Sequence, residues 1–191
     1  MKHLPARVSE DRARRIVEHG FWWNVFRFAR YLPTFRPRLN LSRPLPYLEL
    51  VWLPRFLIDV DLEGPSGADA IMVSVDGIAG HFALFMAQAD VRDAPVDGPA
   101  FAPELNEDRV LAHARAGVLN WLLMYQRKRR MTPTGMRVSG LLHCPFWVYY
   151  YQRRRGLLDV QIVDAISGER PGSKLKYAIV RAFQRAASGS A

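Results

Sequence analysis

His143 stands beside Cys144, the single cysteine of the chain, in the run H-C-P-F-W-V-Y-Y-Y-Q-R-R-R-G. A thiolate nucleophile needs a base within reach and an electropositive, partly exposed setting. Neighbours on a strand point to opposite faces, so these two side chains do not form a dyad with each other. Cys144 therefore reads as a small buried hydrophobe. A second candidate is the pair Asp76 and Asp164, since two carboxylates supply acid and base in glycoside hydrolysis. Each also opens a glycine-containing turn, V-D-G-I-A-G at 75–80 and V-D-A-I-S-G at 163–168. An aspartate there bonds its own backbone and shapes the turn, which explains both positions without a substrate.

Anion chemistry has two further candidates. Gly168, Gly172, Ser173 and Lys174 precede a helical pattern, the context in which backbone amides hold a phosphate. The spacing is G-x-x-x-G-S-K and not that of a P-loop, so a bound anion and a plain capped helix start both remain readings of Ser173 and Lys174. Arg153, Arg154 and Arg155 form one basic cluster and Q-R-K-R-R at 126–130 another. A strand over 138–152 would separate them by roughly 45 Å at ~3.3 Å per residue, which argues against one merged patch. No metal-ligand spacing, nucleophile elbow or cofactor fingerprint is visible, so the expectation is no catalytic residue, no metal and no cofactor.

The totals narrow the class of partner. With 191 residues, 49% hydrophobic and 24% charged, the chain can build one substantial domain or two small ones. Its net charge of +9 comes from 27 cations of which only Lys2, Lys128, Lys174 and Lys176 are lysines. Such a balance favours nucleic acid, an anionic membrane surface or an acidic protein, and arginine suits planar anions and aromatic stacking. One cysteine excludes an internal disulfide framework. The first residues, M-K-H-L-P-A-R-V-S-E-D-R, lack the apolar run of a secretory signal, and no stretch is long enough to cross a membrane. A cytoplasmic protein, soluble or held peripherally on a membrane, is the expectation.

Self-similarity supplies the elements. S-E-D-R at 9–12 returns as N-E-D-R at 106–109, an offset of 97, and Gly20 then meets Gly117. V-W-L-P-R-F-L-I at 51–58 matches L-H-C-P-F-W-V-Y at 142–149, with Pro54 opposite Pro145, His143 opposite Trp52 and Cys144 opposite Leu53. V-D-G-I-A-G and V-D-A-I-S-G complete the series. The matches keep their order, which predicts two helix–strand–strand repeats, 1–89 and 106–185, a linker at 90–105 and a disordered tail at 186–191. Ser9 and Asn106 suit helix N-caps, with acids behind them where the dipole welcomes negative charge. Leu111, Ala114, Val118, Trp121, Leu122 and Tyr125 form one apolar helix face, leaving Arg109, His113, Asn120 and Arg127 opposite. Segments 47–61, 69–75, 138–152 and 157–163 read as strands. The fold class is α+β, with antiparallel strands of both repeats in one sheet or two facing sheets, covered by helices and related by a pseudo-twofold.

A helix followed by two strands, the second ending in V-D-A-x-[ST]-G, resembles the PepSY type of module, a helix on an antiparallel sheet in a cystatin-like arrangement. V-D-A-I-S-G at 163–168 carries the resemblance, and V-D-G-I-A-G at 75–80 is a looser version of it. It implies a non-catalytic regulatory or binding module.

The first helix pattern, 12–32, places Val17, Gly20, Phe21, Val25, Phe28 and Leu32 on a core face. Trp22, Trp23, Phe26, Arg27 and Arg30 lie away from it. Rings mixed with arginines suit an anionic membrane interface or a protein partner, a second copy in a homodimer included. The expected function is a non-catalytic interaction module binding a protein partner or an anionic membrane surface. Two alternatives stand: a nucleic-acid-binding protein contacting phosphates through its arginine clusters, and an enzyme or small-anion binder using the 168–174 loop.

Overall fold

The computed structural model describes residues 1–27, 44–65, 67–125, 130–152, 158–172, 175–176, 179–180 and 182–183, side chains 19–27, Tyr125 and Leu158 excepted. The elements run β1 (Lys2–His3), α1 (Glu10–Arg27), β2 (Tyr47–Gly64), β3 (Gly67–Asp76), β4 (Phe82–Leu84) and a 3-10 turn (Gln88–Asp90). They continue with β5 (Arg92–Asp93), α2 (Glu107–Tyr125), β6 (Thr132–Gln152) and β7 (Leu158–Asp164). The fold is α+β, a large sheet with two helices. Strand order is β4-β3-β2-β6-β1-β5, with β7 also paired to β6. β2 and β6 are longer than their apolar runs, extending to Gly64 and back to Thr132. The segment 90–105 also contributes strand pairing through β5 and an isolated parallel bridge from Ala100 to Trp52.

Packing divides the chain into two compact units. The first joins Met1–Leu4, Leu53–Pro95 and Ala102–Cys144; the second joins Pro5–Trp52, Val96–Phe101 and Pro145–Ala191. β2 and β6 therefore each pass from one unit into the other. In the first unit β2 and β3 form an antiparallel hairpin from Arg55↔Asp76 to Gly64↔Gly67. Alternation puts Ile58, Val60, Leu62, Val73 and Val75 on one face, and α2 covers them with Val110, Ala114, Val118 and Leu122. Asp59 and Asp61 alternate to the polar face, where Arg137 donates to Asp59 at 3.2 Å. In the second unit β6 pairs with β7 from Phe146↔Asp164 to Gln152↔Leu158. Val8, Ala13 and Leu48 form a small core there with Ile16, Trp147 and Tyr149.

The two hairpin-ending turns are built alike. The Ile78 amide donates to the Asp76 carboxylate at 2.9 Å and the Gly80 amide to the Asp76 carbonyl at 2.9 Å. Ile166 and Ser167 donate to the Asp164 carboxylate at 2.7 and 3.0 Å, and Gly168 to the Asp164 carbonyl at 2.9 Å. Gly80 and Gly168 close these turns at φ of 75° and 78°, backbone that glycine adopts freely. The helix starts match as well. Arg12 donates its amide to the Ser9 hydroxyl at 3.4 Å and Arg109 to the Asn106 side chain at 3.2 Å, satisfying otherwise orphaned donors.

Candidate functional site

Cys144 is buried, and His143 beside it on β6 is buried too. His143 lies in register with His3 of β1, also buried. Asp76 and Asp164 are engaged by the turn amides just described, so the paired carboxylates of the sequence hold backbone. His81 meets Asp76 twice, its Nδ1 3.4 Å from the carboxylate and its carbonyl accepting from the Asp76 amide at 2.9 Å. Around the 168–174 loop, Leu175 and Lys176 donate their amides to the Gly172 carbonyl at 3.1 and 3.3 Å, as a helix start does. Ser173, Lys174, Arg153, Arg154, Arg155 and Arg30 lie outside the described residues. For Trp22, Trp23, Phe26 and Arg27 only the helical backbone is described.

Two features come forward that the sequence pattern did not single out. The first is the outer face of α2. Besides its buried stripe, the helix carries Ala112, Ala116, Leu119 and Leu123 at three- and four-residue spacing on its exposed side. Leu119 is 45% exposed, Leu123 69% and Met124 69%. The chain continues directly into Arg127, Lys128, Arg129 and Arg130. Opposite the core one expects polar side chains, and Arg109, His113 and Asn120 do lie on that side; the leucines between them make a second apolar stripe. A signal was present: at the offset of 97, Leu119 and Leu123 align with Trp22 and Phe26.

The second feature is a cavity of about 380 Å³ in the second unit, lined by Val17 and Glu18 of α1, residues 45–46, and Tyr149, Tyr151 and Gln152 of β6. Tyr149 and Tyr151, two apart on one strand, share a face, their ring centroids 5.9 Å apart at 27°. Tyr151 donates to Asp159 at 2.8 Å, and Lys176 holds the same carboxylate at 2.7 Å, so the Tyr151 ring is fixed through its hydroxyl. Burial, with the charge of Glu18 next, pushes the Tyr149 phenol above its usual range and keeps it neutral. Arg14, one turn before Glu18, is taken up by Glu10 at 2.9 Å.

On the opposite face of β6, Tyr150 stacks on Tyr47 at 4.5 Å, meets Phe183 edge-on, and donates to Glu49 at 3.0 Å. Burial first, then the Glu49 carboxylate, holds this phenol protonated far above the ordinary tyrosine range. Among the described residues no group of three or more His, Cys, Asp or Glu side chains is placed to hold a metal ion, and no helix is long and apolar enough to cross a membrane. No family model, no curated protein and no solved structure matches this chain.

Proposed function

We propose that this chain is a non-catalytic interaction module that docks on an anionic membrane surface through the exposed end of α2. The observation that carries the reading is the apolar stripe ending in Leu119 and Leu123, continued in sequence by Arg127, Lys128, Arg129 and Arg130. An interfacial helix needs that combination: side chains that enter the acyl boundary, and cations beside them that meet lipid phosphate. Each cation near such a surface contributes about 1 kcal/mol, so four supply an amount comparable with the burial of two leucine side chains. The net charge of +9 acts in the same direction.

In this reading the chain is an internal duplication, in which Trp22, Phe26 and Arg30 stand in sequence opposite Leu119, Leu123 and Arg127. Matched turns at Asp76 and Asp164, matched caps at Ser9 and Asn106, and matched parallel bridges support the duplication. In the bridges His3 pairs with His143 and Ala100 with Trp52, at the offsets the sequence motifs already have. The resemblance to the PepSY type of module belongs to this reading too, as a repeat that binds without catalysing. In this reading the protein is cytoplasmic and held peripherally on the membrane.

Co-sedimentation with vesicles containing phosphatidylglycerol tests it. Binding should be strong at low salt, absent on phosphatidylcholine alone, and reduced at least about fivefold by Leu123→Glu. Equal binding to both vesicle types, or no binding, overturns the membrane reading; retention of an acidic protein instead would point to a protein partner. Retention on DNA with a steep salt slope would favour the nucleic-acid alternative.

A further inference from the structure

We infer that the cavity lined by Glu18, Tyr149 and Tyr151 is a binding site for a small organic cation, an alkylammonium with an apolar body. Its volume, about 380 Å³, lies in the range of small-molecule pockets, and its lining is mostly apolar or aromatic with few polar groups. The polar groups decide the ligand. Among the described lining residues Glu18 is the ionisable group besides the two phenols, and it carries no ion-pair partner among the described residues. Of the two arginines one turn before it on α1, Arg14 is bound to Glu10 and Arg15 is exposed, while Arg170 is engaged by the Ile16 and Val17 carbonyls.

The tyrosines complete the case. Their rings offer the electron-rich faces that attract a cation within about 6 Å, and carboxylate plus aromatic walls is the arrangement that holds quaternary ammonium groups. Tyr151 is fixed through Asp159 and Lys176, so its ring is in place before a ligand arrives. Gln161, paired with Tyr149 across the β6–β7 ladder, has a buried side-chain oxygen without a hydrogen-bond donor among the described residues. The Glu18 carboxylate and the aromatic rings favour a positive or methylated ligand over an anion, although the protein as a whole is strongly basic.

Titration of the full chain with choline, followed by calorimetry, is the test, run against 3,3-dimethylbutan-1-ol, its neutral isostere, and against inorganic phosphate. Choline should bind and the isostere should bind at least about tenfold more weakly, since only the cation gains from the rings and from Glu18. Glu18→Gln should weaken choline about tenfold, Tyr149→Ala should abolish binding, and Tyr149→Phe should retain it because a phenyl face remains. Thermal melts of each variant separate lost binding from lost fold, and the exposed Glu18→Gln change keeps the test valid if Tyr149→Ala unfolds. Equal binding of choline and the alcohol, binding of phosphate alone, or no response to Glu18→Gln overturns the assignment.

Discussion

Asp76 and Asp164 each accept the same two hydrogen bonds at the ends of two different hairpins, and Asp164 accepts a third from Ser167. Each carboxylate accepts from the amide two residues ahead, at 2.9 Å for Ile78 and 2.7 Å for Ile166, and each carbonyl accepts from a left-handed glycine four residues ahead. The strand beside each turn is held the same way, since Gly77 donates to the Pro54 carbonyl and Ala165 to the Pro145 carbonyl. Replacing either aspartate by alanine should cost about 2 kcal/mol, because amides inside a tight turn lose a charged acceptor. Asp164→Ala should cost more than a neutral amide bond alone, as two amides depend on it. Urea unfolding checks this; a loss under 0.5 kcal/mol at both positions, set against that ~2 kcal/mol scale, would show the carboxylates to be dispensable.

The glycines of the same turns should respond unequally. An L side chain at a left-handed position costs about 1 kcal/mol at either site. At Gly80 a Cβ would also lie 2.6 to 2.8 Å from the His113 ring, whereas at Gly168 it meets only Ile16 and Val8 at 3.6 Å. Gly80→Ala should therefore destabilise more than Gly168→Ala. The double change with His113→Ala should return the excess, which a double-mutant cycle measures as coupling.

Tyr150 predicts the alkaline limit of stability. Its phenol is shifted upward in the folded state, so the native protein keeps a proton that the unfolded chain releases near pH 10. This contribution is complete below pH ~10 and is lost as pH rises toward the folded value. Stability should fall with rising pH above about 10, and Tyr150→Phe should flatten the slope while costing about 1.5 kcal/mol at neutral pH through the lost bond to Glu49. Melting temperatures across that pH range, for both proteins, decide it.

Leu123 is 69% exposed and packs into neither core, so Leu123→Glu should leave the melting temperature within a degree or two while removing vesicle binding. A fall comparable with that of a core change such as Val118→Ala would show instead that the stripe is needed for folding.

Much of the fold was legible from periodicity. Val110, Ala114, Val118 and Leu122 follow the helical spacing that marks a buried face, and Ile58, Val60 and Leu62 the strand alternation. The aspartate turns were legible because a side chain bonding its own backbone is a local event. Leu119 and Leu123 escaped because a second apolar stripe looks like core until it is known how much of the helix the sheet covers. The cavity escaped for a different reason. Glu18 stands 131 positions from Tyr149, and no local pattern links them.

By itself the sequence determined the helix starts, at the Ser9 and Asn106 caps, and which turns need glycine, since each depends on contacts between near neighbours. Only the tertiary structure decided that the packed units draw on both halves of the chain, with β2 and β6 serving each. It also decided that His143 is interior, in register with His3, and that Glu18 and Tyr149 line one cavity. Those outcomes depend on which long strand lies beside which, a choice set by burial summed over the whole chain and invisible in any one stretch of it.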